Sequence, residues 1–292
     1  MYFIEQSFHG ITISLFQKSI PEIGMTLSIA WKEREKILLA SDSRISRFKN
    51  VSDYGVKVTP IPIRVYDARE AGKDLECLLN TTYGMCFAGD FAAESILGNF
   101  TSIILQRLQF ASLLGCELSF VVICDFIFKV YEKISNQLRN EIDQDGIDFL
   151  LTGVCPKDQQ FYLAKFSIDY GANFDQFDPG FEIVNNSLLA AGDVVSIGSG
   201  ADNFDSRYSP GLSPLRILKM VINDTNEPTV GGNIQVGMFD DQNNFYTTGI
   251  MRYANGDEKY QYHIAGLDMN EDLFVGSDGL VFMGTYLDES KM

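Results

Sequence analysis

Two apolar runs, residues 26–31 (TLSIAW) and 37–40 (ILLA), flank the polar cluster Lys32-Glu33-Arg34-Glu35-Lys36. Aliphatic and β-branched residues on both sides of a charged turn predict a β-hairpin. A hairpin symmetric about Arg34 sets Thr26 opposite Asp42. A third run, Gly55-Val56-Lys57-Val58, predicts a strand whose two valines share one face while Lys57 takes the other. A hydroxyl, a carboxylate and an ammonium group are thereby expected to meet at one end of a sheet.

Beyond Lys57 come Pro60, Pro62 and a strand-like stretch at 63–66, then a polar loop over 67–74. A strand is expected at 78–87, ending in Ala88-Gly89-Asp90. Helical spacing of apolar residues follows over 91–108 and again over about 120–141, with Gly146 at the exit. The period then changes. Residues 149–154, 160–167 and 181–184 predict strands separated by Pro- and Gly-containing turns. A strand at 194–197 leads into Gly198-Ser199-Gly200, a helix at 215–222, and strands at 233–239, 246–250, 260–264 and 280–285. Strands at both ends of a central helix pair make an α+β fold, with two sheets able to stack between helical layers. No repeat or linker divides residues 25–292. Residues 1–24 end in Pro21 and Gly24 and form either an N-terminal extension or propeptide, or a leader upstream of a true start at Met25.

The chain has 292 residues, 46% of them hydrophobic, which suffices for a large core. Its formal charge of −16, from 39 acids against 23 bases, disfavours nucleic acid and anionic lipid as partners. No uninterrupted apolar stretch reaches membrane-spanning length, and the N-terminus lacks the pattern of a signal peptide. Five cysteines (Cys77, Cys86, Cys116, Cys124, Cys155) without metal-ligand spacing point to reduced thiols in a cytoplasm. With only His9 and His263, a Ser–His, Cys–His or His-rich zinc apparatus has little to build on. Neither Asp240-Asp241 nor the group Asp268, Glu271 and Asp272 completes a calcium loop. No cofactor and no metal is expected. Chemistry rests on carboxylates, lysines and hydroxyls.

Thr26 is the candidate nucleophile. A threonine hydroxyl needs an adjacent base, and an N-terminal threonine supplies one in its own α-amine, whose pKa is about 7.7–8.0. That requires the loss of residues 1–25. Lys57 would lower the proton affinity of the hydroxyl and amine, and Asp42 would orient Lys57 and keep it charged. The backbone N–H of Gly89, at a strand-to-helix corner, suits an oxyanion. Each residue also has a structural reading: a strand-opening threonine, a salt bridge at a sheet edge, a turn glycine.

Thr26, then Ser41-Asp42-Ser43-Arg44, then Gly55-Val56-Lys57-Val58 together resemble the start of a mature proteasome β-type subunit, a member of the N-terminal-nucleophile hydrolases. The resemblance implies a four-layer αββα sandwich. It also implies peptide or amide hydrolysis by Thr26 with Asp42 and Lys57, and an oxyanion at Gly89. Ser199 would hydrogen-bond near the nucleophile's amine. A homo-oligomer, in the family a ring, is implied as well, with an ATP-dependent partner left open. Two departures stand out. Met25 precedes the threonine where self-processing relatives have glycine, and Val230 occupies the place of an expected serine, with neither Asp224 nor Glu227 at the matching acidic position. Phe87 and Phe91 flank the oxyanion segment and are expected either to line a pocket for the substrate side chain or to be core. The alternatives are a non-catalytic structural subunit of the same fold and an amidase acting on small molecules.

Overall fold

A computed structural model describes residues 7–8, 11–12, 26–47, 50–68, 76–111, 116–142, 146–171, 176–184, 189, 192–253, 260–265, 267–269 and 285–288. Most of the expected extension 1–24 lies outside these, as do most of the polar loop 67–74 and residues 280–284 of the last predicted strand. Within the first 24 residues, β1 (Ser7–Phe8) pairs with β2 (Ile11–Thr12).

The predicted hairpin forms as β3 (Ser28–Glu33) and β4 (Lys36–Ser41), with its register one step from the expected one. Glu33 pairs with Lys36 and Ser28 with Ser41, so the turn has two residues rather than three. Arg34 takes a φ of 57° to close it. The symmetry point thus lies between Arg34 and Glu35. Continuing this register, Leu27 rather than Thr26 falls opposite Asp42.

A short hairpin, β5 (Ile45–Arg47) with β6 (Asn50–Ser52), leads to β7 (Val58–Asp67). The strand expected at 63–66 is therefore longer and runs through Pro60 and Pro62. They are tolerated because β7 pairs with β8 (Cys77–Gly89) along one edge, while β9 (Leu108–Phe110) joins its other edge only from Val65 onward. Helix α1 (Phe91–Leu105) stops before the predicted 108, because Leu108 reaches the same core from a strand. Helix α2 (Phe120–Ile142) then returns the chain to β10 (Ile147–Val154), β11 (Phe161–Asp169) and β12 (Asp178–Ile183). The order β12-β11-β10-β8-β7-β9 makes a six-stranded sheet.

The second sheet gathers the hairpin β3–β4 with the C-terminal third of the chain. After β13 (Val194–Ile197) come α3 (Ala201–Arg207) and α4 (Pro214–Ile222). Then follow β14 (Gln235–Phe239), β15 (Phe245–Tyr253), β16 (Tyr260–Ile264), β17 (Leu267–Asp268) and β18 (Tyr286–Asp288). The strand order is β13-β3-β4-β14-β15-β16-β17, with β18 alongside β15. Helix α3 has no counterpart in the sequence reading, since ADNFDSR offers only Ala201 and Phe204 as apolar residues and no period. Ser213 caps α4 at Arg216 N, with Pro214 at its first position.

Three buried clusters hold these elements. One joins the six-stranded sheet to α1 and α2 through Phe87, Phe149, Phe166, Leu97, Phe120 and Tyr131. Another joins the second sheet to α3 and α4 through Ile29, Trp31, Val236, Phe204 and Leu218. The third holds residues of both sheets: Ala30, Leu39, Val58, Cys86, Ala88, Leu150 and Ile197. Alternation along each strand produces the division, as Ile29 and Trp31 go to one cluster and Ala30 to another. The fold is thus α+β and mostly sheet. No described helix is long and apolar enough to cross a membrane.

At the centre of the first cluster Phe166 stacks on Phe149 at 4.2 Å and on Phe181 at 5.2 Å, with the Tyr131 ring edge-on. Truncation there leaves a cavity among rings too constrained to collapse. Phe166→Ala is expected to cost about 3–5 kcal/mol, read from the midpoint of urea unfolding at unchanged slope.

Candidate active site

Three segments end at one place. Thr26 precedes β3, Asp42 follows β4, and Lys57 immediately precedes β7. All three side chains are buried, with Asp42 wholly excluded from solvent. The Lys57 ammonium donates to Thr26 Oγ1 at 2.8 Å and to Asp42 Oδ1 at 2.8 Å. Asp42 accepts three further hydrogen bonds: from Leu27 N at 3.0 Å to Oδ1, and from Arg44 N and Gly231 N at 3.0 Å each to Oδ2. These N–H groups take the place of water around a carboxylate whose burial would otherwise be costly. Burial brings the Lys57 ammonium below its ordinary value of 10.5, against the opposing pull of Asp42. Lys57 thus gives up its proton more readily than a surface lysine would.

The shift in the hairpin register explains why the lysine is the link. Leu27, opposite Asp42, gives the carboxylate its N–H, and the ammonium spans from Asp42 to the threonine hydroxyl. The expected strand over residues 55–58 is corrected as well. Val56 is exposed and Val58 buried, so the valines do not share a face, and the ladder begins only at Val58. Gln235, at the start of β14, replaces the missing ladder. Its Oε1 accepts from Lys57 N at 2.9 Å and Val58 N at 3.3 Å, and its Nε2 donates to the Gly55 carbonyl. The sequence signal was one polar residue between Ile234 and Val236, too ordinary to single out.

Gly198 and Gly200 bracket the threonine from β13. Gly200 N donates to the Thr26 carbonyl at 3.3 Å. Gly198 has a φ of 97°, and a Cβ on it would stand 2.2 Å from that same carbonyl and 2.9 Å from Ala88 Cβ. Ala88 and the Thr26 carbonyl are therefore close neighbours, which brings the Ala88-Gly89 corner to the site. Gly89 has a φ of 138°, and a Cβ there would come within 2.8 Å of the Gly146 carbonyl and of Ile147 Cα. Ser28 Oγ ties the two sheets just below, donating to the Phe87 carbonyl at 2.7 Å. The Phe87 side chain belongs to the core under α1 and α2, which resolves its two readings. The Phe91 side chain lies outside the described residues.

Ser199 lies beside a threonine and an acid that the sequence reading did not assign. Thr229 Oγ1 donates to Glu227 Oε1 at 2.6 Å and lies 3.0 Å from Ser199 Oγ. With its proton directed to Glu227, Thr229 accepts from Ser199, which leaves the serine oxygen as an acceptor. Val230, where the resemblance expected a serine, is a core residue. Asp224 is bound by Arg207 and Asn203 of α3 and by Asn226. Asp240 receives the N–H groups of Gln242 and Asn244 in its own turn. Among the described residues, no group of His, Cys, Asp and Glu could hold a metal ion.

No protein-family model matches the chain, and no curated protein matches it. Among solved structures it is similar to Anbu from Yersinia bercovieri, described as an ancestral β-subunit. The identity is 16% and the TM-score 0.48, covering 76% of this chain and 86% of that one. It is similar also to Anbu from Pseudomonas aeruginosa, solved as a helical assembly, at 14% identity and a TM-score of 0.48 over 76% and 86%. For a mutant of Anbu from Hyphomicrobium sp. strain MC1 the values are 13% and 0.46 over 76% and 84%. These findings correct the expectation of a proteasome β-type subunit. The reason is physical: Thr26, Asp42 and Lys57 are brought together by one hairpin and one strand start, a local constellation that leaves the rest of the sequence unconstrained.

Removing Asp42 strands a buried ammonium and three N–H groups. Asp42→Ala is expected to cost about 3–5 kcal/mol, measured by chemical denaturation. The pH dependence has a defined sign. The folded chain binds the Lys57 proton more weakly than the unfolded chain, so this residue's contribution to stability rises with pH between its folded midpoint and 10.5. Denaturation curves of wild type and Lys57→Met across pH 8–11, about the span of a lysine titration, isolate that slope.

Proposed function

We propose that this chain is an amide hydrolase whose nucleophile is Thr26, exposed as the N-terminal residue once residues 1–25 have been removed. The single observation that carries the reading is the Lys57 ammonium, buried and 2.8 Å from both Thr26 Oγ1 and Asp42 Oδ1. An isolated ion pair would not include the hydroxyl. In this reading the freed α-amine takes the Thr26 proton and the oxygen attacks the substrate carbonyl. Lys57 stabilises the developing alkoxide, Asp42 holds Lys57, and Gly89 N–H receives the oxyanion. The amine then protonates the leaving nitrogen, and water clears the ester formed on Thr26. Ser199, its hydroxyl proton directed to Thr229, is assigned to accept a hydrogen bond from the α-amine.

The same reading takes the α+β fold as a four-layer αββα sandwich, supported by the division of its core into three clusters. Peptides are the proposed substrates, and a cytoplasmic setting is supported by five cysteines that form no disulfide. Self-association into a homo-oligomer is included, supported by Phe100 and Ile103, which α1 leaves exposed.

Intact mass and N-terminal sequencing of the purified protein, followed by assays on peptide anilides and small acyl amides, test the proposal. A chain beginning at Thr26 is expected, with kcat/KM rising through an ionisation near about 8. Thr26→Ala is expected to lose at least about 10³-fold. A chain that keeps residues 1–25 through storage and assembly while remaining inactive would sink the proposal and leave a structural role. Turnover of small amides alone would replace the peptidase by an amidase.

A further inference from the structure

We propose that Gln235 is a positioning residue for Lys57: its buried carboxamide holds the backbone of residues 55–58 in the bend that carries the ammonium to Thr26. This rests on the reading of Lys57 as the group that tunes Thr26.

A lysine reaches its target through four rotatable carbons, so the ammonium is only as well placed as the backbone it starts from. Residues 54–57 have no strand ladder to fix them. The bend is pinned instead at two points. Gly55 N donates to the Ser43 carbonyl at 2.9 Å. Gln235 takes the rest, accepting from Lys57 N and Val58 N and donating to the Gly55 carbonyl. Without it, backbone groups buried in this bend would be left unmade.

Its position in the sheet gives the clamp its meaning. Gln235 pairs with Ser41, the last residue of β4, and Asp42 is the residue that follows it. The carboxylate and the backbone that presents the ammonium are therefore referenced to a single ladder, although Gln235 is 178 residues from Lys57 in the chain. Glutamine is specific here because one side chain must accept and donate together. Asparagine is about 1.5 Å shorter, glutamate has no donor, and leucine has neither. The charged groups acting on Lys57 are Asp42, Arg44 and Asp53. Glutamate at position 235 would add a fourth, negative and close.

The test uses Gln235→Leu and Gln235→Glu in the full chain, with [13Cε]lysine labelling to follow the Lys57 titration by NMR, its signal assigned with Lys57→Arg. For Gln235→Leu, kcat is expected to fall about 10²-fold, as for a reacting group displaced by about 1 Å, while KM changes little and the Lys57 midpoint moves. For Gln235→Glu, the Lys57 midpoint and the acidic limb of the pH–rate profile are expected to shift together to higher pH. A folded Gln235→Leu protein with wild-type kcat and an unmoved Lys57 midpoint overturns the proposal. So does a loss of activity that only follows the unfolded fraction. If Gln235→Leu does not fold, Gln235→Glu decides alone, and an unmoved midpoint overturns the assignment. If the wild-type protein is inactive, the reading of Thr26 as nucleophile has failed, and the NMR titration still tests the clamp.

Discussion

A fully buried carboxylate is the constraint around which this end of the molecule is arranged. Asp42 has no water to solvate it, so the chain must bring it hydrogen-bond donors, and it does so from three directions. Leu27 comes from the first strand of the hairpin, Arg44 from the turn after the second, and Gly231 from a loop 189 residues away. The Lys57 ammonium supplies the compensating charge. Breaking any one of these leaves an unsatisfied group in a low-dielectric interior, where the penalty is larger than the bond itself is worth. That asymmetry is what makes the cluster rigid.

The surrounding glycines follow from the same crowding. Gly198 touches the Thr26 carbonyl closely enough that no Cβ fits, and Gly231 places its N–H on Asp42 while Arg44 fills the space a side chain would need. The two sheets meet here with little between them. Ser28 bonds to the carbonyl of Phe87 on the opposite sheet, and Ala88 packs against the β13 turn. The Thr26 hydroxyl, the Lys57 cation and the glycine corner of β8 thus share one rigid seam rather than hanging from independent loops. The proposed use of the Thr26 hydroxyl needs that rigidity, because it depends on how Lys57 is placed.

The local parts of this arrangement were legible in the sequence. Apolar runs around Lys32–Lys36 specified the hairpin, and alternation and helical spacing located most of the strands and three helices. The combination of Thr26, Asp42 and Lys57 could be read as a unit, because hairpin geometry ties the first two and a nearby strand start supplies the third. Errors arose where local pattern is degenerate. A two-residue and a three-residue turn look alike in Lys-Glu-Arg-Glu-Lys, yet they differ by one step in what faces Asp42. Leu108 satisfies a helical period and a strand equally well, since both bury it in one core. Likewise, three polar residues at suggestive spacing proved too small a sample of the chain to fix a family.

What the sequence determined by itself was the set of elements and the chemistry available to them: hydroxyl, carboxylate and ammonium in a chain poor in histidine. What only the tertiary structure decided was which distant residues complete the site. Gln235 on Lys57, Gly231 on Asp42, and Thr229 with Glu227 beside Ser199 join segments far apart in the chain, and nothing in their local sequence marks them. Short-range pattern encodes burial and period, which propagate along the chain. Hydrogen bonds between remote segments depend on sheet order and register, which emerge only when the two sheets close on each other and every buried polar group must find a partner.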